Sequence, residues 1–236
     1  MPNALSVVRR LGVGLLSALL PANCYVCGAL AGRAMVCPRC RAEFPLLPAE
    51  LCPVCALASP AGAICGACRR APPPYAASLA LYPYAFPIRE LIHALKFDAN
   101  FGVLGLFSEE LAQAVLRCGA DCVVPVPVHR RRLAERGFNQ AVLIARPVAK
   151  SLGVPLLLDA VVKDRVSVPQ AGLTREARRA NVRGAFRAVR RFDGARVLVV
   201  DDVMTSGATL TEVALALRAA GALSVENLVL ARTLRD

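Results

Sequence analysis

Apolar runs alternate with helical periodicities along the last two thirds of the chain. Strands are predicted where β-forming residues cluster, at 77–84, 122–128, 154–162, 196–200 and 225–231. Helices are predicted where apolar residues recur at helical spacing, at 87–95, 138–152 and 209–220. Because strands that alternate with helices form parallel sheets, the pattern predicts an α/β fold, a parallel sheet with helices on both faces.

Cysteines, rather than apolar periodicity, organise the N-terminal part. Eight of the 10 cysteines form four Cys-x-x-Cys pairs, and the second set of four repeats the first 28 residues later. A Cys-x-x-Cys turn supplies two thiolates, and two such turns complete the tetrahedron that Zn²⁺ prefers. Four-cysteine ligation leaves no open position, so we expect two structural zinc sites. The predicted ligands are Cys24, Cys27, Cys37, Cys40, Cys52, Cys55, Cys65 and Cys68.

The eight cysteines can be divided between the two zinc ions in two ways. Pairing within each repeat closes the shorter loops and is preferred. The interleaved set of Cys24, Cys27, Cys52 and Cys55 is the alternative. Iron–sulfur or redox use fits the spacing less well, and thiolate zinc ligands favour the cytoplasm over a secreted, disulfide-bonded protein.

Two further segments flank the cysteines. The apolar run from Leu5 to Leu20 follows two arginines like an export signal, but it is broken by glycines and is too short to span a bilayer. We predict an amphipathic helix there, with no transmembrane segment. After the cysteines, Pro72-Pro73-Pro74 forms a stiff spacer. It predicts two domains, 1–71 with the N-terminal helix and zinc module, and 75–236 with the sheet.

Two adjacent acids, Asp201 and Asp202, follow the strand 196–200, at the end where open α/β sheets bind ligands. The next turn, Thr205 to Thr209, offers backbone N–H groups, hydroxyls and a helix dipole to a phosphate, and Gly207 allows close approach. The acids would repel that phosphate, so we expect them to bind ribose hydroxyls, directly or through Mg²⁺. An ordinary strand, turn and capped helix is the alternative interpretation.

Positive charge is concentrated rather than spread. The formal net charge is +12, and the segment from His129 to Arg191 has 15 Lys and Arg against 4 Asp and Glu. Such a segment attracts a small polyanion or a nucleic-acid backbone, although a solvated basic face is also compatible with it. Because Trp is absent and aromatic residues make up only 5%, composition counts against a dedicated binder of single strands.

With these motifs the chain resembles type I phosphoribosyltransferases, and over nearly its whole length the ComF family of competence proteins with double zinc ribbons. The resemblance rests on the zinc module, the acid pair with its loop, and five shorter segments. These segments are Ala94-Leu95-Lys96-Phe97, Val124-Pro125-Val126-Pro127, Arg136-Gly137-Phe138-Asn139-Gln140, Gln170 to Leu173 and Arg178 to Phe186.

The resemblance implies a type I phosphoribosyltransferase-like fold that binds phosphoribosyl diphosphate with Mg²⁺, in DNA uptake or nucleotide metabolism. It implies that Asp201 and Asp202 are catalytic and that Thr205 to Thr209 hold the 5-phosphate. The residues implied to bind phosphoribosyl diphosphate are Val203, Met204, Thr205, Ser206, Gly207, Ala208 and Thr209. The implied diphosphate and flexible-loop residues are Lys96, Arg136, Gly137, Phe138, Asn139, Gln140, Arg165, Gln170, Arg178 and Asn181. The residues predicted to contact nucleic acid are Arg131, Arg132 and Arg183.

One departure from related enzymes bears on catalysis. Purine-salvage enzymes have an Asp where this chain has Thr205, and that Asp would assist proton transfer on the base. The absence of this Asp favours an orotate-like or unusual acceptor, or no catalysis at all. The alternative function is a non-catalytic protein that binds a phosphoribosyl ligand or DNA, with single-stranded DNA or a DNA-uptake helicase as partner.

Overall fold

The computed structural model describes residues 23–32, 34–116, 118–165, 180 and 182–234. The described residues form two compact units, one ending at Phe44 and the other beginning at Pro45. The predicted N-terminal helix lies outside the described residues. No helix in the described part of the chain is both long enough and apolar enough to cross a membrane.

The two cysteine repeats have the same local structure. In each, the first cysteine lies beside an antiparallel bridge, Asn23 with Leu30 and Leu51 with Ala58. In each, the third cysteine precedes a short helix, α1 (Pro38–Ala42) in the first unit and α2 (Gly66–Arg70) in the second. The repeat in sequence is therefore a repeat in structure.

Four parallel strands form the main sheet of the second unit. They are β1 (Ala77–Pro83), β2 (Cys122–Pro125), β5 (Arg196–Met204) and β6 (Ser224–Arg232), in the spatial order β1-β6-β5-β2. Residues 197–200 of β5 are all buried although successive side chains point to opposite faces. Both faces of the sheet are therefore covered, as the apolar pattern predicts.

Five helices accompany this sheet in the described residues. They are α3 (Ile88–Phe97), α4 (Gly102–Ala114), α5 (Arg130–Arg136), α6 (Gln140–Leu152) and α7 (Ala208–Ala219). Helix α6 packs on β2, β5 and α4, and α4 also contacts β1, whereas α7 contacts β6. Helices α3, α6 and α7 were predicted to within two residues at each end.

The predicted strand 154–162 is wrong for most of its length. Leu156 makes a single parallel bridge to Val123 of β2. The chain then turns into β3 (Val161–Lys163). This short strand pairs antiparallel with β4 (Phe186–Ala188) in a separate two-stranded sheet that contacts α7. Pro155 lacks an N–H for a ladder, so the apolar run is divided between two sheets.

The second cysteine repeat packs as part of the same unit as the sheet. The N–H of Ser78 in β1 donates to the Pro53 carbonyl at 3.0 Å. Cys52 and Leu57 are buried in one apolar cluster with Val229 of β6. Prolines 72–74 lie inside this compact unit. The division into domains 1–71 and 75–236 stays a prediction.

Candidate functional site: metal clusters and an acid pair

Each cysteine repeat forms one cluster of four thiols. The four Sγ atoms of the first repeat lie within 4.8 Å of one another, and so do the four of the second. The first sulfur of each cluster accepts an N–H at 3.3 Å, Cys24 from Cys37 and Cys52 from Cys65. Such bonds stabilise a thiolate. The preferred pairing within repeats is confirmed, and the donor set fits two structural zinc ions.

We expect purified protein to contain about two zinc ions per chain, because the described residues hold two four-thiol clusters. Metal analysis of Cys27→Ser should give about one ion. Cys122→Ser is the matched control, since Cys122 is buried in β2 and lies outside both clusters. Disulfide-linked peptides in place of metal would contradict the assignment.

The acid pair lies within β5, close to its carboxyl end. Asp202 is buried, Asp201 is half-buried, and the backbone N–H of Asp202 donates to Oδ1 of Asp201 at 2.9 Å. Burial raises the pKa of Asp201 well above its ordinary value, and the charge of Asp202 raises it further. The two neighbours thus have different environments, and Asp201 is the more accessible.

Lys96, the next-to-last residue of α3, forms an ion pair with Oδ2 of Asp202. Burial raises the pKa of Asp202, but the Lys96 ammonium and the side chains of Asp201 and Gln140 together lower it below its ordinary value. The Gln140 side chain also bonds to Asp202, and its Oε1 accepts from Arg136 at 2.8 Å. The fold therefore assembles four predicted residues from three separate segments.

The loop after β5 has the form expected of a phosphate cradle. Gly207 has φ +79°, a left-handed conformation that favours glycine, and it directly precedes α7. The Ser206 hydroxyl accepts the Ala208 N–H at 3.4 Å. The helix dipole adds positive potential at this end. Val203 and Met204 belong to β5, while Thr205 to Gly207 form the turn itself.

Segment 136–140 connects two helices at the site. Gly137, with φ +81°, ends α5, and the Asn139 side chain begins α6 by accepting the Ala141 N–H at 3.0 Å. Asn139 also donates to the Val126 carbonyl at 3.0 Å. Asn139 is thus held by the backbone, whereas Gln140 faces the acid pair.

Further cationic side chains surround the acids. Burial lowers the pKa of Arg136, against the effect of Asp202, and Arg132 lowers it further. Burial also lowers the pKa of Lys163, at the end of β3, where Arg132 adds to the effect and Asp201 opposes it. Lys163 was not predicted, because no sequence motif surrounds this lysine at the end of a three-residue strand. Together with Lys96, these groups make the site strongly attractive to anions.

The remaining predicted residues lie in different places. Arg131 is exposed and pairs with Glu135 at 3.0 Å. Arg183 lines a cavity of about 490 Å³ with Ser206 and Thr211, so it lies by the loop. Arg165 is exposed. Three predicted residues lie outside the described residues: Gln170, Arg178 and Asn181.

Two pairs of aromatic rings lie on α3, at the beginning of α4 and in segment 136–140, and one of the rings contacts Arg136. Phe97 is 68% exposed, and the Arg136 guanidinium carbon is 5.3 Å from the centre of its ring. Phe101, 50% exposed, meets Phe138 edge-on at 5.2 Å between centroids. The His93 ring lies 5.4 Å from that of Phe97. We call His93, Phe97, Phe101 and Phe138 the aromatic row.

Comparison with known proteins finds two family domains in this chain. The chain matches the phosphoribosyl transferase domain over residues 139–236 and the double zinc ribbon domain over residues 15–69. Two solved structures align with TM-scores of 0.38 and 0.37. One is a glutamine phosphoribosylpyrophosphate amidotransferase of B. subtilis, 27% identical, covering 53% of this chain and 25% of that one. The other is a purine phosphoribosyltransferase of Pyrococcus horikoshii, 18% identical, covering 55% and 83%.

Similarity to curated proteins extends over most of the chain. DNA utilization protein YhgH of Escherichia coli K12 is 35% identical over 192 residues, 78% of this chain and 85% of that protein. Competence protein F of Haemophilus influenzae Rd is 30% identical over 178 residues, 71% and 78%. Competence protein ComFC of Bacillus subtilis 168 is 26% identical over 209 residues, 84% of each. The chain therefore belongs to the ComF family and combines a double zinc ribbon with a phosphoribosyltransferase domain.

Proposed function

We propose that the second unit binds phosphoribosyl diphosphate and acts as a phosphoribosyltransferase. One observation carries the proposal: an acid pair and a phosphate-cradle loop follow one another on β5, with cationic side chains around the acids. The loop from Thr205 to Thr209 would hold the 5-phosphate. Asp201 would accept hydrogen bonds from ribose hydroxyls, while Lys96 and Arg136 would face the diphosphate.

The reaction exchanges one bond at C1 of the ribose. The bond from C1 to the diphosphate oxygen breaks, the oxygen retaining the electron pair, and a nitrogen nucleophile donates its pair to C1 and loses a proton. Positive charge develops on the ribose, next to the carboxylate pair. Catalysis would therefore consist mainly of positioning and electrostatic stabilisation.

Mg²⁺ fits this site only together with the ligand. In the described part of the chain, the side-chain groups able to form a complete metal site are the two thiol clusters. Mg²⁺ is commonly held by one or two carboxylates plus substrate phosphates, a set that Asp201 can join. When bound, the ion would neutralise charge on the departing diphosphate.

Calorimetry on the wild-type protein tests the proposal. Phosphoribosyl diphosphate should bind, and its affinity should rise when Mg²⁺ is present. The affinity for ribose 5-phosphate should depend little on the ion. Release of diphosphate in the presence of a nucleobase mixture would identify turnover. Binding without release would favour a non-catalytic protein that binds a phosphoribosyl ligand. Absence of binding would refute both the enzyme and that alternative, and would leave the nucleic-acid candidate below.

A second candidate function is binding of single-stranded nucleic acid. The aromatic row favours it, because exposed rings beside cationic groups are the elements on which unpaired bases stack. The low aromatic content still counts against a dedicated binder of single strands, so the candidate rests on three of the 12 Phe and Tyr residues of the chain. The words DNA utilization and competence in the relatives' names support this candidate. With this function the protein would support DNA uptake, with a helicase as partner, whereas the phosphoribosyltransferase would act in DNA uptake or in nucleotide metabolism; both functions are proposed for the cytoplasm.

Two variants should separate stacking from general charge. Phe97→Ala should weaken binding of a single-stranded oligonucleotide about tenfold. Phe86→Ala, an equally exposed ring before the other end of α3, should not weaken it. Oligonucleotide affinity is measured by titrations followed by fluorescence anisotropy. If both variants lower this affinity equally, the aromatic row has no stacking role.

The basic helix α5 can be tested in the same assay. Arg132→Ala should lower the slope of log affinity against log salt by about one unit. Arg131→Ala should lower it less, because Arg131 already pairs with Glu135. If the double change of both to Glu leaves retention of DNA at low salt unaltered, α5 does not contact DNA.

A further inference from the structure

The second cysteine cluster and the phosphate-cradle loop are joined by one buried arginine. Arg232, the last residue of β6, is 3% exposed. Its Nε donates to the Cys55 carbonyl at 2.8 Å. Its NH1 donates to the carbonyls of Met204 at 2.8 Å and of Thr205. One guanidinium therefore holds a metal-ligand residue on one side and the beginning of the loop on the other.

Two further contacts hold the loop from the same direction. The Tyr75 hydroxyl, buried just after the prolines, bonds to the Thr211 side chain in the first turn of α7. A Cβ added at Gly207 would lie 3.2 Å from this hydroxyl, so Tyr75 also lies directly against the loop. Tyr75 and Arg232 both line a cavity of about 270 Å³ with Cys55, Cys68 and Ser206.

We propose that Arg232 is a positioning residue through which metal binding at the second cluster sets the conformation of the phosphate-cradle loop. The guanidinium can donate to the Cys55 carbonyl and to the loop carbonyls at the same time only while the Cys-x-x-Cys turn that ends at Cys55 keeps its conformation. Zinc keeps that shape, because a four-thiolate site folds its own ligand loops. The second metal site would therefore support the ligand site through Arg232. The effect on ligand binding rests on the proposed function, whereas the effect on the loop does not.

The internal repeat supplies a matched pair of variants. Cys55 and Cys27 occupy the same position in the two repeats, so Cys55→Ser and Cys27→Ser each remove one equivalent ligand. In ligand-free protein, Cys55→Ser should speed hydrogen exchange of residues 203–211 about tenfold, the order expected for losing a charged hydrogen bond. Cys27→Ser should leave this exchange unchanged, and α6 should remain protected in both.

Arg232 itself is tested by a graded pair. Arg232→Met should speed exchange of the loop while both zinc ions remain bound. Arg232→Lys, which keeps a cation but has no fork to span the carbonyls, should show an intermediate effect. A uniform rise in exchange along β5, β6 and α6 would mean that Arg232 is only part of the core, and would overturn the proposal.

The coupling can also be tested in the opposite direction, from ligand binding to zinc release. Because coupling between two sites is mutual, phosphoribosyl diphosphate should slow the release of one zinc ion to a chelator and leave the other unaffected. The slowed ion should be the one that Cys27→Ser retains. Ligand that binds but slows neither or both ions equally would refute the coupling. If the ligand does not bind but Cys55→Ser still loosens the loop, the proposed function fails and the coupling stands.

Discussion

Replacing Asp201 and Asp202 together by Asn is expected to weaken binding of phosphoribosyl diphosphate about 100-fold, while the affinity for inorganic phosphate changes less than about threefold. The acids lie in β5, whereas the phosphate is assigned to the turn and to the beginning of α7. The loss has two sources: Asp201 no longer accepts charged hydrogen bonds from the ribose hydroxyls, and Lys96 loses the Asp202 carboxylate that holds it at the site. Isothermal calorimetry with both ligands measures the ratio.

Gly207→Ala is the matched control, because it should weaken both ligands alike. Its Cβ would meet the Met204 Cε at 3.0 Å, and the left-handed φ of this residue disfavours any side chain. The loop would therefore shift, while the acids remain. If the double Asn variant also loses both ligands equally, the carboxylates serve the fold rather than the ribose.

The elements that could be predicted from sequence are those with a strong local pattern. Residues 196–200 are an apolar run bounded by charge, and the thiol clusters follow from Cys-x-x-Cys spacing alone. Helix α4 was missed although its buried residues, Val103, Phe107 and Leu111, recur every four positions, which is helical spacing. Lys96 was predicted only through a resemblance, because its pairing with Asp202 joins residues far apart in the chain.

The relation of the second ribbon to the sheet could not be predicted either. Three prolines are typical of a linker, yet Tyr75 immediately after them is buried against the loop. The contacts of Arg232 depend on the register of β6 in the sheet, which brings its last residue beside Cys55. Such long-range packing has no signature in the local sequence.

Single substitutions at the two acids are expected to change stability in opposite directions. At about pH 8, Asp202→Asn should lower the free energy of unfolding by roughly 3 kcal/mol, because it removes one partner of a buried ion pair and leaves Lys96 without its counter-charge. Asp201→Asn should raise it by about 1 kcal/mol, because burial and a neighbouring carboxylate make the charged form of Asp201 costly.

The pH dependence follows from the direction of each pKa shift. The pKa of Asp202 is lowered in the fold, so its contribution is present above its ordinary value near 3.8 and is lost as pH falls through the lower folded value. The pKa of Asp201 is raised, so stability falls as pH rises from about 3.8 through the raised value. The advantage of Asp201→Asn should therefore shrink as pH is lowered from 8 towards 4.

Thermal unfolding of both variants across this pH range, with zinc in slight excess, measures these differences. A lower melting temperature for Asp201→Asn at pH 8 would show that the charge of Asp201 stabilises the ligand-free fold. The expected result has a functional meaning, because the more stable variant should bind phosphoribosyl diphosphate less well. A carboxylate that lowers the stability of the fold is retained where a ligand uses it, and in this chain Asp201 is the acid left accessible to one.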